Sequence, residues 1–188
     1  MRADRESLRP GPVARTVAPY QGIKAHLPDP QWFGDTQDMN EARSTLIAAA
    51  TAVCGAFSWG EHGSAGSVGA AILTAQGNIY TGICIDLECG LGFCAEVAAV
   101  AEMLKARERH VLAVVAVSKR GVLVAPCGRC RETIAQIDTQ NLDCTVLLGD
   151  NRAVPLRELL PEHWLTEKED TEQARAPDAL PHAGDAPR

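Results

Sequence analysis

The chain has little of what grips a phosphate backbone or a lipid surface. Eighteen Lys and Arg are scattered among twenty-four Asp and Glu, giving a net charge of −6 and no basic cluster. That balance excludes the electrostatic footprint that nucleic acids select. Anionic membrane surfaces are excluded on the same ground. Aromatics are scarce, with three Trp, two Tyr and three Phe, too few for the stacked platforms that bind single strands. No apolar run approaches the roughly 20 residues that cross a bilayer. The N-terminus, Met1-Arg-Ala-Asp-Arg-Glu-Ser, is mixed in charge and lacks the apolar stretch of a secretory signal. The expectation is a cytoplasmic protein with no nucleic-acid and no membrane partner.

What the chain does have is unevenly placed. Eight of the eleven prolines fall in residues 1–40 or 166–188, while all seven cysteines lie between Cys54 and Cys144. Residues 1–40 read as an irregular N-terminal extension and residues 166–188, charged and then Ala/Pro-rich, as a disordered tail. Between them, residues 41–165 are long enough to bury one core. An odd number of cysteines in a reducing compartment points to metal binding, catalysis or packing rather than to a disulfide framework.

Within the core, Asn40 reads as an N-cap, and Ala42, Leu46, Ala49, Ala50, Val53 and Phe57 follow at helical spacing. Ser67-Val-Gly-Ala-Ala-Ile-Leu and Ile79-Tyr-Thr-Gly-Ile-Cys-Ile are two β-leaning runs joined by Ala75-Gln-Gly-Asn, a hairpin signature. The segment from Cys94 to Arg109 is rich in Ala, Glu, Leu and Lys and reads as a helix. Val111-Leu-Ala-Val-Val-Ala-Val is apolar enough to be a strand buried on both faces. A short run at Val122-Leu-Val, a helix after Pro126-Cys-Gly-Arg-Cys, a strand at Cys144-Thr-Val-Leu-Leu and a helical turn after Pro155 complete the series. The order α-β-β-α-β-α-β-α implies a layered α/β domain with a mixed sheet.

Two segments carry the chemistry. Cys94-Ala-Glu96 and Pro126-Cys127-Gly-Arg-Cys130 each open a helix, where free N–H groups and the helix dipole favour the thiolate form. Three thiolates from two such helix starts make a Zn²⁺ site with one open position, the mark of catalytic zinc. A lone C-x-x-C is shared by redox pairs and structural zinc. Pro126 and a third Cys with its glutamate argue against a redox pair, and Cys84, Cys89 and Cys144 offer no second C-x-x-C to close a four-Cys structural site. Glu96 reaches a site shared with Cys94 only if that site lies over the helix end, because positions two apart face different ways along a helix body. Cys54, Cys84, Cys89 and Cys144 read as small packing residues.

On these residues the core resembles the cytidine deaminase superfamily, and within it blasticidin-S deaminase. The likeness runs from Ser44-Thr-Leu-Ile through Ser67-Val, Gly77-Asn-Ile-Tyr-Thr-Gly, Cys94-Ala-Glu96 and Pro126-Cys-Gly-Arg-Cys-Arg131 to Arg157-Glu-Leu-Leu-Pro161. It implies a three-layer α/β/α sandwich around a five-stranded mixed sheet, one zinc per chain held by Cys94, Cys127 and Cys130, and a homotetramer whose sites borrow residues from neighbours. It further implies that Glu96 shuttles protons during hydrolytic deamination of a cytosine ring. The substrate would be a free nucleoside or a nucleoside antibiotic. Ordinary cytidine or deoxycytidine salvage, another amino-heterocycle, and an inactive zinc protein of the same fold are the alternatives.

Departures from the family pattern bear on the substrate. Cys84 stands where the group usually has an Asn, Asp86 where cytidine deaminases have Glu, Gly66 where they have an aromatic, and Val97 where a basic residue commonly follows the catalytic Glu. Three thiolates on Zn²⁺ leave a net negative charge, which Arg129, inside the C-x-x-C, is placed to offset. Cys84, Asp86, Phe93, Ala95 and Trp164 are the candidate substrate contacts, Phe93 and Trp164 as the aromatics available to stack on a flat ring.

Overall fold

The structure, a computed structural model, describes residues 23–24 and 36–165. Most of the expected N-terminal extension and the whole expected tail lie outside the described residues. In chain order the elements are β1 (Ile23–Lys24), α1 (Thr36–Val53), β2 (Phe57–Ser58), β3 (Gly63–Thr74), β4 (Asn78–Leu87), α2 (Ala95–Lys105), β5 (Val111–Ser118), α3 (Gly128–Ile137), β6 (Thr145–Leu147), β7 (Ala153–Pro155) and α4 (Leu156–Leu159). Short 3₁₀ turns at Glu88–Gly90 and Thr139–Asp143 link β4 to α2 and α3 to β6.

Strands β4-β3-β5-β6-β7 form the five-stranded mixed sheet that the resemblance implied, with β5 and β6 parallel and the other pairs antiparallel. Two-residue β1 and β2 add to it by pairing with β4 and β3. Successive side chains of a strand face opposite ways, and here the alternation sorts the core into two layers. Ile72, Val114 and Val146 pack with Val100 and Met103 of α2 and Ile134 of α3. Their neighbours Leu73, Val115 and Leu147 pack with Leu46 and Ala50 of α1 on the other face. A strand buried on both faces has no polar positions to spare, which is why β5 reads as one apolar run.

Helix α2 buries Ala95, Ala99, Val100 and Met103, a helical stripe of small residues followed by larger ones. The small end matters for position. A Cβ at Gly82 of β4 would stand 2.3 Å from the Ala99 amide nitrogen and 2.5 Å from the Ala95 carbonyl oxygen, so the missing side chain lets α2 lie directly on the strand. At the other end of α2, Asn141 is fully buried and satisfied: it donates to the carbonyls of Arg109 and Ile134 and accepts from the Val111 N–H at 2.8 Å. That one side chain ties the end of α3 to the start of β5.

Two expectations need correction. The first helix starts at Thr36 rather than after Asn40 and ends at Val53, and Phe57 sits in β2, paired with Ala65 and 56% exposed. The helix stops because Gly55 turns the chain, its N–H bonding to the Gly66 carbonyl at 3.0 Å. Residues 122–124, a short apolar run outside the expected strand order, make only an isolated bridge between Val117 and Leu123. Strand β7, at three residues, is too short to show a period and was not anticipated.

Candidate active site

The helix starts named by the two cysteine motifs converge. Cys94 is the N-cap of α2 and Cys127 the N-cap of α3, both with extended backbone, while Cys130 lies in the first turn of α3 and is fully buried. The Cys94 and Cys127 sulfurs are 3.5 Å apart, as are those of Cys127 and Cys130, and all three lie within 4.8 Å of one another. A tetrahedral Zn²⁺ with bonds of about 2.3 Å separates its sulfur ligands by roughly 3.8 Å, so this donor set fits the metal in number, chemistry and spacing. The Cys89 and Cys144 thiols stand outside the cluster.

The thiols differ in proton affinity. Burial pushes the Cys130 thiol far up, helped by the negative charge of Glu96. Cys94 is also raised, by burial first and then by its contact with Cys127. Cys127 is lowered: burial acts upward but is outweighed by the N–H groups of Cys130 and Arg129 at the start of α3 and by its sulfur neighbours. The helix start thus works as the sequence suggested at one ligand. Metal binding must displace the protons of the other two.

Glu96, the second residue of α2, is only 4% exposed. Burial holds its carboxyl above the usual carboxylate range, against the pull of its own N–H and of Cys130. A buried carboxyl that holds its proton more tightly than usual, beside a metal site, suits general acid and base work. The Arg129 guanidinium lies 3.8 Å from the Cys94 sulfur and donates to the Gly92 carbonyl at 3.3 Å. It is therefore seated where the charge argument wanted a cation.

A cavity of about 440 Å³ opens over this cluster. Cys84, Asp86, Phe93 and Ala95 line it together with Cys94, Cys127, Glu96 and Arg129. Phe93 is fixed there by a two-bond bridge with Ile85, 2.9 Å each way, which clamps the end of the 87–93 loop to β4. Trp164 does not line the cavity; its ring is 56% exposed beyond α4 and its amide donates to Glu132. Gly66, where the resemblance put an aromatic in other members, has φ of +75° and would place a Cβ 2.3 Å from the Gly55 carbonyl oxygen. No side chain fits, so the missing aromatic is a consequence of how β3 turns against the end of α1.

Two residues that sequence reasoning passed over also shape the site. Arg131 donates to the Pro126 carbonyl and to the Leu159 carbonyl, each at 2.7 Å, and so fastens the Cys127 segment to α4. Its position directly after the C-x-x-C was the available signal. Ser67 lines the cavity beside Cys84 and Asp86. Its place in the Ser67-Val segment of the resemblance was the available signal, but that gave it no role, because its neighbours in space come from another strand.

Comparison with known proteins agrees with this geometry. Residues 42–145 match the family described as the cytidine and deoxycytidylate deaminase zinc-binding region. A cytidine deaminase of Halalkalibacterium halodurans is 32% identical over 103 residues, 53% of this chain and 78% of that protein. One of Mycobacterium tuberculosis is 35% identical over 71 residues, which is 37% of this chain and about half, 53%, of that relative. The crystal structure of cytidine deaminase from M. tuberculosis aligns with a TM-score of 0.55 at 29% identity, covering 65% of this chain and 96% of the other. That from Burkholderia pseudomallei aligns at 0.53 and 28%, covering 64% and 98%. These relatives are cytidine deaminases, so the broad resemblance holds while the narrower one to blasticidin-S deaminase is not what they support. Among the described residues no helix is long and apolar enough to cross a membrane. With the matched segment spanning more than half of the chain and holding both Cys94 and the Cys127–Cys130 pair, the chain belongs to the cytidine and deoxycytidylate deaminase zinc-binding family.

Proposed function

We propose that this protein is a zinc-dependent aminohydrolase that converts the cytosine of a free nucleoside, cytidine or deoxycytidine, to uracil and ammonia. The observation that carries the reading is the cavity lined by Glu96 and by Cys94 and Cys127, two of the three clustered thiols, with Cys130 buried behind them. Zinc held by Cys94, Cys127 and Cys130 supplies Lewis acidity and activation of water at neutral pH. Glu96 takes the first proton of the attacking water and delivers it to ring N3, then takes the second from the hydroxyl added at C4 and delivers it to the departing amino nitrogen, and so ends as it began. Arg129 offsets the surplus negative charge of the thiolates. Phe93 flanks the ring, and Cys84, Asp86 and Ala95 complete the wall against which the nucleoside rests.

The choice of nucleoside over nucleotide rests on charge. Asp86 and Glu96 both line the cavity, and Arg129, its lining cation, is already engaged with Cys94 and Gly92. Among the described residues lining the cavity, a phosphate would find no unengaged cation to receive it and a carboxylate to oppose it. A second reading, a nucleoside antibiotic of the blasticidin S type, is favoured by Cys84 and Gly66 standing where sugar-binding and stacking residues are usual. The working unit in this reading is a homotetramer, whose contacts would cover the exposed Trp59, Leu87 and Leu91.

Ammonia release measured across cytidine, deoxycytidine, deoxycytidylate, cytosine and blasticidin S tests the substrate. Turnover of the two nucleosides without deoxycytidylate is the expected result, and turnover of blasticidin S alone would select the second reading. Glu96→Gln should retain about one zinc per chain while ammonia release falls by about 10²-fold or more. Undiminished turnover in that variant would remove Glu96 from the mechanism.

A further inference from the structure

The reading just given leaves Ser67 without a part, yet its hydroxyl sits in the middle of a polar cluster inside the cavity. Ser67 Oγ is 3.1 Å from Cys84 Sγ and donates to Asp86 Oδ2 at 3.4 Å, while Cys84 Sγ lies 3.7 Å from the same oxygen. The Val68 N–H donates to Cys84 Sγ at 3.3 Å. Ser67 and Cys84 carry one hydrogen each, and a carboxylate only accepts. Both side chains therefore direct their polarity at one oxygen of Asp86.

The backbone is bent to bring this about. Ala65 pairs with Ile85 and Gly69 with Ile83, so four steps along β3 cover two along β4. The surplus is a bulge centred on Gly66 and Ser67, and bulges beside sites re-aim side chains that a regular ladder would send elsewhere. Asp86 itself is exposed at the end of β4 and, left alone, would sample many rotamers.

We infer that Ser67 is a positioning residue for the substrate's sugar: it fixes the Asp86 carboxylate through Oδ2, leaving Oδ1 to accept a hydroxyl of the nucleoside. Cys84, by accepting from Val68 and bracing Asp86, acts through the same carboxylate rather than on the sugar directly. The inference rests on the reading of the protein as a cytosine-nucleoside deaminase and adds to it the side chain that orients the Asp86 carboxylate.

The test is steady-state ammonia release from cytidine by the zinc-loaded protein, with KM and kcat resolved separately. Ser67→Ala should raise KM by about three- to tenfold, the effect of one lost hydrogen bond, with kcat within about twofold of wild type. At equal side-chain size Ser67→Thr should keep the wild-type KM and Ser67→Val should not, which isolates the hydroxyl from any packing effect. In an Asp86→Ala background, where KM is already raised, Ser67→Ala should add nothing. An unchanged KM in Ser67→Ala, equal behaviour of the Thr and Val variants, or the same KM increase with and without Asp86 would each overturn the proposal. Absence of cytidine turnover in the wild type would overturn the functional reading and this inference together, whereas wild-type turnover with an indifferent Ser67 would overturn the inference alone.

Discussion

Replacing Gly82 by alanine should disable the site from the far side of a helix. The added Cβ would lie 2.3 Å from the Ala99 nitrogen, 2.5 Å from the Ala95 oxygen and 2.6 Å from the Ala98 Cβ. Two of these atoms are backbone, so no rotamer change relieves them. Ordinary contacts between such atoms are about 3.5–4.0 Å, and α2 would have to retreat from β4 by roughly 1 Å. Overpacking of this kind costs about 1–3 kcal/mol, which for a chain of this length lowers Tm by roughly 2–12 °C. The catalytic cost should be larger. Cys94 and Glu96 sit at the start of the displaced helix, and a misplacement of about 1 Å costs on the order of 10²-fold in rate. Thermal unfolding and kcat/KM for cytidine, measured on the same zinc-loaded preparation, separate the two effects. Gly149→Ala, where a Cβ meets nothing within 4 Å, is the control and should leave both unchanged. If Gly82→Ala matched wild type in Tm and in turnover, the close approach of α2 to β4 would not be what positions Glu96, and the reasoning would fail.

Cys127→Ser should lose zinc, seen by metal analysis, and should unfold at lower temperature because the metal ties the starts of α2 and α3 together; full occupancy would mean the ligand set is wrong. Arg131→Ala should weaken zinc retention against a chelator, since its two hydrogen bonds hold the Cys127 segment to α4, and unaltered retention would confine Arg131 to a surface role. Alkaline stability should fall in a defined window. Burial lifts the Cys144 thiol from 9.0 to about 12, and burial with the hydrogen bond to Glu108 lifts the Tyr80 hydroxyl from 10.0 to about 12. Both groups hold their protons more tightly when folded, so their contribution is complete below pH 9 and is lost as the pH rises toward 12. Tyr80→Phe should flatten the part of that loss above pH 10 in denaturant titrations; an unchanged slope would assign it elsewhere.

Much of the site was legible because its signals are local. Cysteines three apart, each motif opening a helix, and a glutamate two residues after a cysteine carry their geometry in the spacing. The helix that presents Glu96 was legible from its Ala, Glu and Leu content, and β5 from an apolar run that only double-sided burial explains. Arg129 was a candidate from its place inside the C-x-x-C together with charge, since three thiolates need a cation nearby. The end of α1 was not legible, because it depends on Gly55 and Gly66 meeting across a turn. Trp164 was drawn in by the scarcity of aromatics, but scarcity says nothing about where a side chain ends up.

By itself the sequence determined the class of chemistry: thiolates at helix starts and a carboxylate beside them suit zinc and proton transfer, whatever the rest of the chain does. It also determined the layered α/β plan, since strand and helix periods are properties of consecutive residues. Only the tertiary structure decided which groups meet. The Cys94 and Cys127 sulfurs are 33 positions apart in sequence and 3.5 Å apart in space. Ser67 reaches Asp86 through a bulge that no periodicity records, and α2 finds its depth from a missing Cβ on another strand. Contacts between strands and helices depend on register and close approach, which are set by the whole core packing at once rather than by any one segment.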